Sequence, residues 1–327
     1  MKIISVRRNA LPRALGAVLA AALLLLGTAC GANESAGESP GQPGQLSIVA
    51  AAYPFQFVAE RVAGERGAVT SLTAPGAEPH DVELTPRQVA SIAEADLVVY
   101  LKGFQPAVDE AVAQSGNPRV LDTTTVVPLR PLADDEHGEE PHSDERDHDQ
   151  GQGGLDPHVW LDPNKLISIV DAVAGRLAEQ DPQHAEAYRA NAAALTGELQ
   201  TLDEEYRTGL SQCVRREFVT THAAFGYLAD RYDLIQISIA GLSPDSEPSP
   251  ARIAGVQREA KEHQITTIFY EPLVSPDVAR SIADDLGLKT DVLDPIEGIT
   301  PESRGQDYLA VMRSNLAALR SAGECPV

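Results

Sequence analysis

The feature that most constrains the fold is a helical stretch of about thirty residues near the middle of the chain. It begins at Asp181-Pro182, where aspartate is a typical N-cap and proline fits the first turn, and it continues to about Ser211. At 1.5 Å per residue such a helix would be about 45 Å long. That length is enough to run along two lobes, so residues 181–212 are predicted to be a backbone helix between a lobe at 46–180 and a lobe at 213–327.

Short apolar runs alternate with helix-length segments on both sides of this helix. The runs are LSIVAAAY, AVTSLTA, DLVVYL and RVLD in the first half, and EFVTTH, LIQISIA, TTIFYEP and KTDVLDP in the second. Strands separated by helices are typical of βαβ units, which place the strands side by side in parallel. The predicted fold class is therefore α/β, with two lobes that each contain a parallel β-sheet flanked by helices.

The N-terminal segment has the pattern of a secretory signal. Four basic residues come before an apolar run at 15–26, which is short for a membrane span, and Gly27-Thr28-Ala29-Cys30 follows. This ending resembles the lipobox of bacterial lipoproteins. Residues 1–29 are predicted to be a signal peptide and residues 30–45 a flexible tether anchored to the cell membrane by lipid on Cys30; the alternative is an ordinary signal with an incidental cysteine.

Charge and cysteine content exclude one class of partner and predict one covalent link. The formal net charge is −22, and loss of residues 1–29 would remove four positive charges and no negative one, giving −26. Nucleic acid is therefore not expected as a partner, because its binding needs clustered basic residues. With Cys30 assigned to the lipid, Cys213 and Cys325 remain, and in an oxidising compartment they are predicted to form a disulfide bond.

Three histidines and one carboxylate follow, or lie near, the ends of predicted strands. In open α/β sheets ligands collect beyond the carboxyl ends of the strands. His80, His222 and Asp294 fit this position, and His158 is confined between two Asp-Pro pairs. Three imidazoles and a carboxylate make a donor set suited to Zn²⁺.

At the level of the whole chain, the sequence resembles the solute-binding proteins of bacterial ABC importers for zinc and manganese. The matching motifs are Glu78-Pro79-His80-Asp81, Asp156-Pro157-His158-Val159-Trp160-Leu161-Asp162-Pro163, Asp181-Pro182, Thr221-His222-Ala223-Ala224-Phe225-Gly226-Tyr227, Tyr270-Glu271-Pro272 and Leu293-Asp294-Pro295. The resemblance implies a metal held between two lobes by His80, His158 and His222. Histidine at the third position favours zinc over manganese, whose binders usually have glutamate there. For the fourth ligand Asp294 matches the usual aspartate, with Glu297 or water as alternatives.

A segment rich in histidine and acid lies between the first lobe's strands and His158. Residues 133–153 contain His137, His142, His148 and nine acidic residues against one arginine. This composition cannot form a packed core and predicts a disordered loop. Zinc-binding members of the family resemble this chain in having such a loop, and we expect weak auxiliary metal binding there; the alternative is a solvated acidic insertion.

The expected role is that of an extracytoplasmic monomer that captures Zn²⁺ and passes it to the permease and ATPase of an ABC transporter. Manganese binding is the alternative within the same class, and a metal-dependent adhesin is another. A zinc hydrolase is less compatible, because the HExxH motif is absent and no general base is evident. The chain is therefore not expected to be an enzyme.

Overall fold

The computed structural model describes residues 44–131, 154–244 and 246–326, and the first of these ranges forms most of an α/β lobe. Its strands are β1 Leu46–Ala50, β2 Gly67–Ser71, β3 Leu97–Tyr100 and β4 Val120–Asp122. They are parallel and lie in the order β2-β1-β3-β4. The helices between them are α1 Tyr53–Ala63, α2 Pro86–Glu94 and α3 Pro106–Ser115, and each has proline in its first turn.

A second α/β lobe repeats the same strand order. Its strands are β5 Glu217–Thr220, β6 Ile235–Ser238, β7 Thr267–Tyr270 and β8 Lys289–Val292, arranged in parallel as β6-β5-β7-β8. Its helices are α6 Gly226–Tyr232, α7 Pro250–Glu262, α8 Asp277–Leu286 and α9 Tyr308–Ala322. The two parallel sheets confirm the α/β fold class. In each sheet the first strand lies between the second and the third, so the loops after these strands open at the same edge.

Two long helices connect the lobes. They are α4 Pro163–Gln180 and α5 Ala185–Leu210, and a 3₁₀ turn at Pro182–His184 separates them. The start of α5 differs from the sequence prediction: Asp181 does not cap the helix, and its carboxylate instead accepts hydrogen bonds from His184 Nδ1 at 2.5 Å and Tyr188 Oη at 2.9 Å. The local ion pair competes with the cap, so the regular helix begins one turn later and is about 39 Å long.

Helix α5 is fixed to both lobes along its length. Near its start Asn191 donates a hydrogen bond to the carbonyl of Val62 in α1 at 3.0 Å. Near its end the Tyr206 hydroxyl donates to the carbonyl of Met312 in α9 at 2.6 Å. One continuous hydrophobic core includes residues of the first lobe, of α4 and α5, and of α9. The helix is therefore a packed element of the core that joins the two lobes.

Direct contacts between the lobes centre on Trp160. The indole Nε1 donates to the carbonyl of Pro295 at 2.8 Å, and the Tyr308 hydroxyl donates to the carbonyl of Trp160 at 2.6 Å. Trp160 and Tyr308 are fully buried, and the Tyr308 ring stacks on Phe57 with a centroid distance of 5.4 Å. These contacts give the loops near residues 160 and 295 a fixed relative position.

A disulfide bond between Cys213 and Cys325 ties the end of α9 to the segment after α5, as the sequence predicted. The backbone N–H groups of Val214 and Arg215 both donate to the carbonyl of Gly323, at 2.9 and 3.1 Å. The segment around Cys325 is therefore held by a covalent link and by backbone hydrogen bonds beside it.

Several sequence predictions concern residues outside the described ranges. These are the signal peptide, the tether, Cys30 and the loop residues His137, His142 and His148. In the part of the chain that the structure describes, no helix has both the length and the apolar character needed to cross a membrane.

The disulfide bond generates a stability prediction. The two cysteines are 112 residues apart, so the bond restricts a large loop of the unfolded chain. Replacing both by serine should lower the free energy of unfolding by about 2 to 5 kcal/mol, measured by denaturant titration. The same loss should follow chemical reduction of the unmodified protein. Equal stability of the oxidised protein and the double variant would contradict this expectation.

Candidate metal centre

Four side chains from both lobes converge on one point between the sheets. They are His80, His158, His222 and Glu297, and one potential ligand atom from each lies within 4.8 Å of all the others. His158, His222 and Glu297 are buried, and His80 retains only 11% side-chain exposure. The structure thus brings together the three predicted histidines and the carboxylate considered as the alternative fourth ligand.

His80 is presented by the loop that follows β2. The buried amide of Gln105 donates hydrogen bonds to Thr73 Oγ1 and to the carbonyl of Pro79, both at 3.0 Å, so the loop is held on its inner side. The backbone N–H of His80 donates to Glu78 Oε1 at 3.0 Å. The imidazole packs edge-on against Phe104, with ring centroids 4.8 Å apart. His80 Nε2 then lies 3.2 Å from Glu297 Oε1.

His158 lies at the start of a single 3₁₀ turn, Val159–Leu161, which the Asp-Pro pairs enclose. Asp156 Oδ1 accepts a hydrogen bond from the His158 backbone N–H at 3.0 Å and lies 2.8 Å from Nδ1. Because a carboxylate can only accept here, Nδ1 carries the proton and donates it, and Nε2 faces the cluster. Nε2 is 2.9 Å from Glu297 Oε1.

His222 follows β5, at the edge where parallel strands end. Its Nδ1 lies 2.7 Å from Glu271 Oε2, and its backbone N–H donates to Glu271 Oε1 at 3.2 Å. Neither buried ring nitrogen has a hydrogen bond of good geometry, although Nδ1 is close to Glu271; the 3.6 Å separation of Nε2 from Glu297 Oε1 is too long for a good bond. A buried imidazole nitrogen aimed at the cluster without a partner is the arrangement expected of a ligand.

Glu297 reaches the cluster because of an unusual turn after β8. Ile296 has φ of +60°, a left-handed conformation that is rare for a β-branched residue. The Ile296 backbone N–H donates to Asp294 Oδ1 at 2.8 Å. This turn directs Glu297 between the three imidazoles, where its second oxygen, Oε2, is buried without a partner.

The structure does not bring Asp294 into the cluster. Its Oδ1 is taken by the Ile296 N–H, and its Oδ2 accepts from the Ser303 hydroxyl at 2.7 Å. Its backbone N–H and carbonyl both bond to the amide of Asn315, at 3.0 and 2.7 Å. Burial raises the pKa of Asp294 to about 6. Asp294 therefore shapes the turn that presents Glu297.

The buried carboxylates raise the pKa values of two of the imidazoles and so favour their charged form. Burial lowers the pKa of His222, but the charges of Glu271 and Glu297 outweigh it and leave the pKa well above the usual value. For His158 burial is likewise outweighed, here by Asp156 and Glu297, and the pKa is raised. Burial alone would raise the pKa of Glu297, yet its hydrogen bonds to the histidines hold that pKa well below the normal range. Protons on the imidazole rings would thus balance the negative charge of the buried carboxylates.

Glu78 shows the effect of crowding negative charge at the site. Burial, followed by the nearby charge of Glu297, raises the pKa of Glu78 to about 8. One of its oxygens, Oε2, is buried without a hydrogen-bond partner. An incoming cation would relieve this repulsion, which makes the centre better matched to a dication than to further anions.

Two contributors to the site were missed by the sequence analysis as functional residues. Asp156 and Glu271 each place a carboxylate against Nδ1 of a cluster histidine, and both are buried. Such carboxylate–imidazole pairs are typical partners of metal-bound histidines, since they fix the tautomer. Their signal in the sequence is the acidic residue two positions before His158 and the Tyr270-Glu271-Pro272 motif directly after β7. His184 and His263 lie outside the cluster, each beside an acidic side chain.

Comparison with known proteins gives relatives over almost the whole chain. The high-affinity zinc uptake system protein ZnuA of Bacillus subtilis (strain 168) is 36% identical over 313 residues, which cover 94% of this chain and 97% of that protein. The zinc-binding lipoprotein AdcA of Streptococcus pneumoniae (strain ATCC BAA-255 / R6) is 38% identical over 283 residues, covering 85% of this chain but only 56% of AdcA.

The architecture is shared with a solved structure of the second relative. The crystal structure of the Zn(II)-bound ZnuA-like domain of Streptococcus pneumoniae AdcA matches with a TM-score of 0.70 and 36% identity, covering 86% of this chain and all of that domain. The sequence profile of one family, described as "Zinc-uptake complex component A periplasmic", matches residues 48–322. That description denotes a component of an uptake complex, which agrees with the expectation that the chain is not an enzyme. The chain has two lobes with a four-residue centre between them, and the family profile matches most of its length. It therefore belongs to the family described as "Zinc-uptake complex component A periplasmic".

Proposed function

We propose that the protein captures one Zn²⁺ between its lobes with His80, His158, His222 and Glu297. The observation that carries the proposal is the convergence of three imidazole nitrogens and one carboxylate on a single buried point. His222 Nε2 and Glu297 Oε2 are buried there without other partners. Four side-chain ligands are the number found in structural zinc sites, which are tetrahedral and have no open coordination position.

The donor set favours zinc over manganese. Imidazole suits zinc and other borderline metals, whereas manganese is generally bound by sites with more oxygen donors. The names of the two relatives support the same choice, since both describe zinc proteins. We therefore assign zinc as the transported ligand and keep manganese as a competitor to be tested in the same titrations.

The same proposal includes a location and a destination for the protein. Residues 1–29 act as a signal peptide, lipid on Cys30 anchors the chain outside the cytoplasm, and residues 30–45 are the tether. The lobes at 46–180 and 213–327 deliver zinc, as a monomer, to the permease and ATPase of an ABC importer. The support is the family membership and the lipoprotein name of one relative.

The first test removes one proposed ligand. His158→Ala should weaken zinc binding by at least about 100-fold, because losing a ligand should cost more than the 10- to 100-fold loss typical of its outer partners. The measurement is competition against a chelator of known zinc affinity. His263→Ala is the matched control, since His263 is outside the cluster and pairs with Glu217. Equal affinities of the two variants would refute the site assignment.

A second test decides which acid is the fourth ligand. Glu297→Gln removes the central negative charge while keeping the shape, so zinc affinity should fall at least about tenfold. Asp294→Asn should lower folding stability through its lost turn contacts but change zinc affinity much less, because both of its oxygens are already hydrogen-bonded within the turn. Isothermal calorimetry and thermal unfolding should be run on both variants. A larger affinity loss in Asp294→Asn would reverse the assignment.

Zinc affinity should also depend on pH in a defined direction. The pKa values of His158 and His222 are raised in the metal-free site, and both rings must lose a proton to coordinate zinc. Affinity should therefore fall as pH decreases through these raised pKa values, beginning above the ordinary histidine value of about 6.5. Titrations between about pH 8 and about pH 5, repeated in buffers of different ionisation enthalpy, should show proton release on binding. Constant affinity with no proton release would contradict the three-histidine site.

A further inference from the structure

Behind His158, one arginine of the first lobe reaches across to the start of α6 in the second. Arg130 lies shortly after β4, at the end of the described range 44–131. Its backbone N–H donates to the Tyr227 hydroxyl oxygen at 2.9 Å, and its Nη1 donates to the carbonyl of Gly226 at 2.9 Å. The same guanidinium forms an ion pair with Asp230. Three contacts within the first five residues of α6 thus fix this arginine to that helix, which begins four residues after His222.

The Tyr227 hydroxyl links two segments of the first lobe at once. It accepts the hydrogen bond from the Arg130 N–H and donates its own proton to the carbonyl of Asp156 at 3.0 Å. Arg130 and Asp156 are themselves paired, because the Asp156 N–H donates to the Arg130 carbonyl at 3.0 Å. Tyr227 is 3% exposed, and burial raises its pKa to about 12, so the hydroxyl keeps the proton that it donates.

Asp156 connects this arrangement to the metal centre. Its Oδ1 accepts from the backbone N–H of His158 and receives the Nδ1 proton of the imidazole, at 3.0 and 2.8 Å. Its Oδ2 lies 3.4 Å from Arg130 Nε. Any shift of Asp156 would therefore rotate or release the His158 ring.

Gly226 is closely approached by the side chains of Arg130 and Asp156. A Cβ added at this position would lie 2.3 Å from Arg130 Nη2 and 2.9 Å from Asp156 Oδ2. Both distances are shorter than any normal contact, so a side chain here would have to displace the guanidinium or the carboxylate. Glycine at position 226 is required by the approach of these two charged groups.

We propose that Arg130, Asp156, Gly226 and Tyr227 form an inter-lobe clamp, in which Arg130 and Tyr227 are positioning residues that set the orientation and tautomer of His158. The proposal rests on the zinc-binding role of His158. With Nδ1 held against Asp156, the ring turns Nε2 toward the metal position before the metal arrives. Because α6 follows His222 closely in the chain, the clamp also fixes the spacing between the His158 and His222 rings, whose centroids are 5.3 Å apart.

Two substitutions test the clamp without touching a ligand. Gly226→Ala should push Arg130 or Asp156 out of place, and Tyr227→Phe removes only the shared hydroxyl while keeping the ring. Each should weaken zinc binding about 10- to 100-fold. Gly197→Ala in α5 is the matched control, because a Cβ there meets nothing within 4 Å and the zinc affinity should not change.

The decisive readout is the imidazole of His158 observed by ¹⁵N–¹H NMR in the metal-free protein. In the unmodified chain and in Gly197→Ala, the Nδ1 proton should be resolved and exchange slowly with water. In Tyr227→Phe and Gly226→Ala it should exchange at least about tenfold faster, since the partner carboxylate is no longer fixed. A general loss of stability would speed the exchange of many buried amide protons, and not of the His158 Nδ1 proton alone.

The outcomes separate the clamp from the proposed function. If Tyr227→Phe folds, binds zinc as tightly as the unmodified chain and keeps a slowly exchanging Nδ1 proton, the clamp is refuted while the zinc site stands. If the unmodified chain does not bind zinc, the proposed function fails, and the NMR comparison of metal-free proteins still decides whether Tyr227 positions His158. If Gly226→Ala does not fold, Tyr227→Phe carries the test alone.

Discussion

The structure depends on the burial of one carboxylate among three imidazole rings. A buried carboxylate is costly unless it is paired, and Glu297 Oε1 lies within hydrogen-bond distance of His80 Nε2 and His158 Nε2. Zinc binding would release the protons that these imidazoles carry. Protons and zinc compete for the same nitrogens.

Much of the fold followed from patterns that depend on local chemistry. Short β-rich runs between helical segments predicted two parallel sheets, and both are present in the same strand order. His80 and His222 follow β2 and β5, as predicted, at the carboxyl ends of strands in the two sheets, whereas His158 lies at the start of a 3₁₀ turn. The disulfide pairing followed from the compartment and the number of cysteines. Each of these inferences needs only the character of a residue and its position relative to a strand.

The parts that the sequence did not predict depend on contacts between distant segments. Asp294 and Glu297 are three residues apart, and choosing between them requires the left-handed Ile296 and the hydrogen bonds from Ser303 and Asn315. Asp181 was predicted to cap α5, but a neighbouring histidine and tyrosine both bond to its Oδ2. The role of Arg130 depends on a helix about a hundred residues further along the chain. Local propensity contains no information about such partners.

The division of the four cluster residues between the lobes has a consequence for affinity. The first lobe supplies His80 and His158, and the second supplies His222 and Glu297. Each lobe alone would therefore be a bidentate chelator of modest affinity. Helix α5 and the contacts of Trp160 hold these two half-sites facing each other. Binding to the second half-site is then intramolecular, and its strength is set by an effective concentration that the core fixes in advance. The helix that joins the lobes therefore raises the affinity for the metal without contacting it, because it is the source of the chelate effect.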